Sequence, residues 1–151
     1  MAIEPTNPQN RRAGLSGFDP IPLIGHKREM KLSREFAFDA AHSLGHYPAE
    51  HANTRVHGHS FRARVTVEGQ PDANGQIVDL EDLGRQLHEL HNRLDHQMLN
   101  EIDGLEQPTL ENLCLWIWEN LQSNLPQICA VEVFRDSLGQ SCLYQGSQHV
   151  H

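Results

Sequence analysis

The hydrophobic and polar positions fall into blocks of two distinct periods. From Leu32 onward, Glu35–Phe36–Ala37–Phe38–Asp39 alternates polar with apolar and predicts a strand ending near Ala40–Ala41. The next alternating block is longer. His57, His59, Phe61, Ala63, Val65 and Val67 share one face, and Ser60, Arg62, Arg64, Thr66 and Glu68 share the other. Pro71–Asp72–Ala73–Asn74–Gly75 breaks that strand. The period then becomes helical. Leu80, Leu83, Leu87, Leu90 and Leu94 form a stripe behind Asp79, a good N-cap residue, with Glu81 and Asp82 in the first turn. A second helix is predicted from Pro108–Thr109, with Leu110, Leu113, Cys114, Ile117 and Leu121 on one side and Pro126 beyond its end. Ala130–Phe134 reads as a third strand, and Gly139 turns the chain into a short fourth, Ser141–Tyr144. The order β-β-α-α-β-β predicts an α+β layer with an antiparallel sheet.

Residues 1–29 carry no such period and hold Pro5, Pro8, Pro20 and Pro22 with Gly14, Gly17 and Gly25. They read as an extension, flexible or lying over a neighbour, and residues 30–151 as the folded unit. The whole chain of 151 residues is about one domain. Its formal charge of −8, with no long basic cluster, argues against nucleic acid or an anionic membrane as the main partner, but leaves room for an anionic small substrate. The three cysteines, Cys114, Cys129 and Cys142, show no metal-type spacing; two fall in apolar patterns, and nothing suggests a disulfide framework. No apolar run approaches the roughly 18 residues of a membrane span, and the N-terminus lacks the plan of a secretion signal, so the expected location is the cytoplasm.

Eleven histidines are the compositional oddity. His57-Gly58-His59 places two imidazoles on one strand face, about 7 Å apart by strand rise and within reach of one ion. His42 follows the first strand, and an antiparallel neighbour can bring it alongside. Three neutral imidazoles suit Zn²⁺ and leave a fourth position open for water or substrate. An isolated His-x-His is at least as often a pair of surface histidines, so the surrounding sequence decides. At the end of the leucine stripe stands Asp95–His96. Most such pairs are solvated helix ends, but here the chain leaves the core and can aim both side chains into a cleft, where histidine is the natural acid/base near neutral pH.

Several stretches then occur in order: Phe38-Asp39-Ala40-Ala41-His42, Val56-His57-Gly58-His59-Ser60-Phe61, Gly75-Gln76-Ile77-Val78-Asp79-Leu80, Leu94-Asp95-His96, Leu99-Asn100 and Pro108-Thr109-Leu110-Glu111-Asn112. Together they closely resemble the 6-pyruvoyl-tetrahydropterin synthase and 6-carboxy-tetrahydropterin synthase family over about residues 32 to 146. The resemblance implies the tunnelling fold, a four-stranded antiparallel sheet with two helices on one face. Its subunits close into an oligomeric barrel, commonly a homohexamer of two trimers, with active sites between subunits. It further implies zinc on His42, His57 and His59, a proton relay of Asp95 and His96, substrate contacts from Thr109 and Glu111, and 7,8-dihydroneopterin triphosphate as the usual substrate. Zinc would acidify the side-chain hydroxyls as triphosphate or acetaldehyde leaves.

The sequence departs from the family pattern at two places. The catalytic cysteine belongs four residues before the first histidine of His-Gly-His, where this chain has Asn53; a subgroup's glutamate, one residue later, is here Thr54. An amide cannot replace a thiolate base. His51, two residues before Asn53, is a candidate substitute, although a solvated loop histidine is the plainer account of it. The pterin anchor is a glutamate at the end of the third strand. Aligned through Val131–Val133 its place holds Arg135; counted back from Tyr144 it holds Asp136, which is favoured if one extra residue bulges the strand. Three readings follow: a lyase acting on a reduced pterin, a relative with altered pterin or purine-like chemistry, and a zinc-containing pterin-binding protein without catalysis.

Overall fold

The computed structural model describes residues 29–147. The expected N-terminal extension, Glu29 aside, lies outside them. The strands are β1 (Met30–His42), β2 (His57–Gly69), β3 (Ile128–Arg135) and β4 (Gln140–Tyr144), and the helices are α1 (Leu80–Leu94) and α2 (Leu110–Leu121). The sheet runs β1-β2-β3-β4 with every neighbouring pair antiparallel. Single 3₁₀ turns at Ala52–Thr54, Leu99–Glu101 and Asp136–Leu138 complete the order.

The strand alternation sorts the sheet into two faces. Phe38, Phe61, Ala63, Val65, Val67, Val131 and Val133 join Leu83, Leu87, Leu90 and Leu94 of α1 and Leu113, Ile117 and Leu121 of α2 in one core. Each valine, leucine, isoleucine or phenylalanine among them, fully buried, contributes about 1.5–3 kcal/mol. Asp79 caps α1 by accepting from the backbone N–H groups of Glu81 and Asp82, and Thr109 caps α2 by accepting from that of Asn112. Leu80, read as the start of the α1 stripe, is instead half exposed, and Arg34 crosses to donate to its carbonyl. The face away from the helices carries ion pairs: Arg62 with Glu35 and Asp136, and Arg64 with Glu35 and Glu132.

Three details differ from the sequence reading. His42 is the last residue of β1, paired with His57, and does not follow the strand. A bulge does occur on β3, but at Cys129: Thr66 faces Ala130 while Val67 faces Ile128. From Val131↔Tyr144 to Arg135↔Gln140 the register is unbroken, so no extra residue stands next to the expected anchor. The turn absorbs the odd residue instead, with Asp136–Leu138 in a 3₁₀ turn closed by Gly139 at φ 63°. Among the described residues, no helix is long and apolar enough to cross a membrane.

Candidate metal centre and the groups around it

His42, His57 and His59 meet on the helix-side face, where β1 and β2 end together. Their ring centroids lie 4.6–5.1 Å apart, and their ligand atoms all lie within 4.8 Å of one another. Two rings are oriented from behind. His42 Nδ1 lies 2.8 Å from the Pro108 carbonyl, and His57 Nδ1 lies 2.8 Å from that of Arg55. A carbonyl only accepts, so each Nδ1 carries the proton and each Nε2 presents a lone pair. Those two Nε2 atoms face each other at 3.1 Å, an arrangement that a metal ion, or a proton shared between the rings, satisfies. Tetrahedral Zn–N bonds of about 2.0–2.1 Å place ligand nitrogens about 3.3 Å apart, so the cluster fits such an ion.

Burial keeps the cluster ready for a metal. His42 is 1% exposed, and desolvation holds its pKa below the usual histidine value despite the opposing Pro108 bond. Desolvation, then the neighbouring Arg135 cation, lowers His59 to about 4, so that ring is neutral at pH 7. Phe61 supplies part of this apolar surrounding, edge-on to His42 and His59 and stacked on Phe38.

Asp95 and His96 are bonded to each other, and His96 borders one cleft with His59 of the histidine cluster. Residues 95–98 run along the free edge of β1. The Asp39 N–H donates to Asp95 Oδ1 at 2.9 Å, the His96 N–H to the Asp39 carbonyl, and the Ala41 N–H to the Gln97 carbonyl. His96 adopts φ 57°, left-handed backbone rare outside glycine and asparagine, directly after the helix cap. Its Nδ1 lies 2.7 Å from Asp95 Oδ2, which raises the His96 pKa; the Asp39 N–H first, and His96 after it, lower that of Asp95. His96 borders a cleft of about 530 Å³ at the β1 edge, lined by Asp39 and Ser60 of the sheet face opposite the helices and by His59 of the cluster.

Arg135, by contrast, follows Val131 and Val133 onto the helix-side face, and its Nη1 comes within 3.5 Å of His59 Nε2. With His42, Thr109 and Glu111 it borders a second cleft of about 420 Å³. Asp136 lies elsewhere: both its oxygens accept from Arg62, at 2.8 and 2.9 Å. His51 caps the 52–54 turn, accepting from the Asn53 N–H, and stacks on Tyr47, which borders the second cleft. The Cys114 thiol, pushed up to about 12 by burial, offers no thiolate in place of the one missing at Asn53. The sequence reading assigned no role to Asn100, whose amide clamps both the N–H and the carbonyl of Ser43 and so fixes the chain just after His42. The Leu99-Asn100 motif was the available signal.

An antiparallel α+β domain with a three-histidine cluster at one end of its first hairpin is thus defined. The sequence model described as 6-pyruvoyl tetrahydropterin synthase matches residues 31–147, and the chain belongs to that family. It is 40% identical over 109 residues to a 6-carboxy-5,6,7,8-tetrahydropterin synthase of Synechocystis, covering 68% of this chain and 83% of that one. Over 90 residues it is 38% identical to a dihydroneopterin monophosphate aldolase of Pyrococcus furiosus, covering 60% of this chain and 73% of that one. Among solved structures, the 6-pyruvoyl tetrahydropterin synthase of Caenorhabditis elegans superposes with a TM-score of 0.69 at 22% identity, covering 80% of this chain and 98% of that one.

Proposed function

We propose that the protein is a zinc-dependent carbon–oxygen lyase acting on a reduced pterin such as 7,8-dihydroneopterin triphosphate, in the cytoplasm and as a homo-oligomer. The observation that carries this reading is the opposed pair of Nε2 lone pairs on His42 and His57, with His59 completing three ligands. Zinc held there would polarise and acidify the substrate's side-chain hydroxyls. The chain's own groups do the proton work. Asp95 accepts the Nδ1–H of His96, leaving His96 Nε2 to take a proton from the substrate and return it. Thr109 uses its hydroxyl to cap α2, so its part in substrate binding is to border the cleft, beside Glu111.

The same reading extends to assembly. Within one chain His59 of the cluster and His96 of the pair border one cleft, and, as the family resemblance implies, we read the complete site as one to which the next subunit also contributes. Closing such sheets into a hexameric barrel also removes the free edges of β1 and β4. Residues 1–29 are an extension to this unit.

A second reading is favoured by Asn53, Thr54 and the aldolase relative: side-chain cleavage of a dihydroneopterin in place of triphosphate elimination. Incubating the zinc-loaded protein with dihydroneopterin triphosphate, its monophosphate and dihydroneopterin, with products identified by mass, separates the two. Triphosphate release supports the lyase, and an aldehyde released from the monophosphate supports cleavage. Asn53→Cys should raise triphosphate turnover by about 10², the scale of a positioned base. No product from any of the three would overturn both.

A further inference from the structure

Arg135 is poorly accounted for by the amino and ring N–H edge of a pterin. Its Nε is buried without a hydrogen-bond partner among the described residues. Arg62 and Arg64 on the other face each hold two carboxylates, whereas Arg135 lies next to imidazoles and forms no ion pair among the described residues. A guanidinium only donates, and the amino and ring N–H edge of a pterin also donates, so the two cannot pair. The chemistry that answers a guanidinium is an acceptor with spread negative charge, able to take two N–H groups at once. Charge balance points the same way. Three neutral imidazoles cancel none of the charge of a divalent ion, and Arg135 adds another positive charge in the same part-buried place. Glu111, the carboxylate bordering that cleft, is exposed and forms no ion pair with Arg135.

We propose that Arg135 and the open position of the histidine cluster together bind an oxyanion of the ligand, a carboxylate or a phosphate ester. The substrate therefore carries this group within reach of the metal, in the cleft between His42, Thr109 and Arg135. The proposal rests on the metal reading above for one of its two anchors; the other, Arg135, stands without it.

The test uses the full chain, metal-free and loaded with Co²⁺, titrated with phenyl phosphate, benzoate and the neutral benzyl alcohol. Calorimetry reads affinity, and the visible cobalt bands read access to the ion. Wild-type protein should bind an anion and ignore the alcohol; preference for phenyl phosphate assigns a phosphate ester, and preference for benzoate a carboxylate. Arg135→Gln should weaken that binding about 10- to 100-fold, the scale of a hydrogen bond to a charged group, and Arg135→Lys should restore part of it. By linkage, the anion should tighten cobalt retention by the factor by which cobalt tightens the anion, and Arg135→Gln should hold cobalt more firmly than wild type when no anion is present. Equal anion affinity in wild type and Arg135→Gln overturns the proposal. So does an Arg135→Gln protein that falls apart into subunits without losing anion affinity, since Arg135 would then answer a partner's carboxylate. If wild type takes up no cobalt yet binds anions through Arg135, the metal reading fails and the oxyanion site survives. If cobalt binds normally and the anions ignore Arg135, the reverse holds.

Discussion

Arg62 and Arg135 leave neighbouring strands near the same level of the sheet, on opposite faces, and they live in opposite chemistries. Arg62 lies over the Phe134 ring at 3.8 Å, donates twice to Asp136 and pairs with Glu35 in a setting open to water. Arg135 lies against histidines that burial keeps neutral, with a buried nitrogen unpartnered among the described residues. One alternating strand pattern produces both. On the open face charge is matched by charge and screened by solvent, so the residues there are individually replaceable. On the helix face each polar group is surrounded by leucine, valine and phenylalanine and must be matched within the protein or by something that binds to it. The three clustered histidines and Arg135 lie on that second face.

The comparison is broken most severely by removing a ligand. His57→Ala leaves two imidazoles, and zinc retention should fall by more than the 10- to 100-fold typical of losing a group behind a ligand. Metal analysis after dialysis checks this, and undiminished zinc would remove the cluster from consideration. Phe61→Ala comes next. Phe61 is 2% exposed and packs on Phe38 and two of the histidines, so the variant should lose about 3–5 kcal/mol in urea unfolding.

Asp95→Asn should act without a large loss of stability. The Asp95 hydrogen bond is the first cause of the raised His96 pKa. A histidine raised on folding stabilises the native state below its unfolded pKa, and that contribution disappears as pH rises through the folded value. Without the carboxylate, the His96 titration followed by NMR should move to lower pH. The acid limb of the pH–rate profile should move with it, because the ring accepts a proton only when neutral. An unmoved titration would show that Asp95 does not hold the ring in solution. The smallest effect belongs to Arg62→Gln: it severs the open-face pairs, yet should leave the unfolding midpoint least changed of the series and zinc content untouched.

What the sequence disclosed and what it hid follow the same division. Both helices, their caps at Asp79 and Thr109, and the long alternation of β2 were legible because local periodicity and capping chemistry set them. The histidine cluster was legible in part: His57 and His59 share a face by strand period alone, whereas His42 is positioned by a cross-strand register that its neighbours in sequence do not reveal. The left-handed turn at His96 was hidden, since nothing in Leu94-Asp95-His96 signals a positive φ. Arg135 and Asp136 were the hardest, because the face each reaches depends on where the strand stops and the 3₁₀ turn begins, a boundary set by the pairing with β4.

One feature of the hairpin bears on how firmly a ligand site is held. His57 to Phe61 pair with β1, but β2 meets β3 only from Arg62 onward, so the histidine end of the hairpin is flanked by residues 95–98 on the β1 side and by no strand on the β2 side. Amides of His57 to Phe61 that face away from β1 have no strand partner among the described residues, and their hydrogen exchange should outpace that of Ala63 to Val67. A bound ion would slow the exchange by joining the ends of both strands. Part of its binding free energy would then go into ordering the backbone, and the measured affinity would understate the strength of the bonds to the three rings.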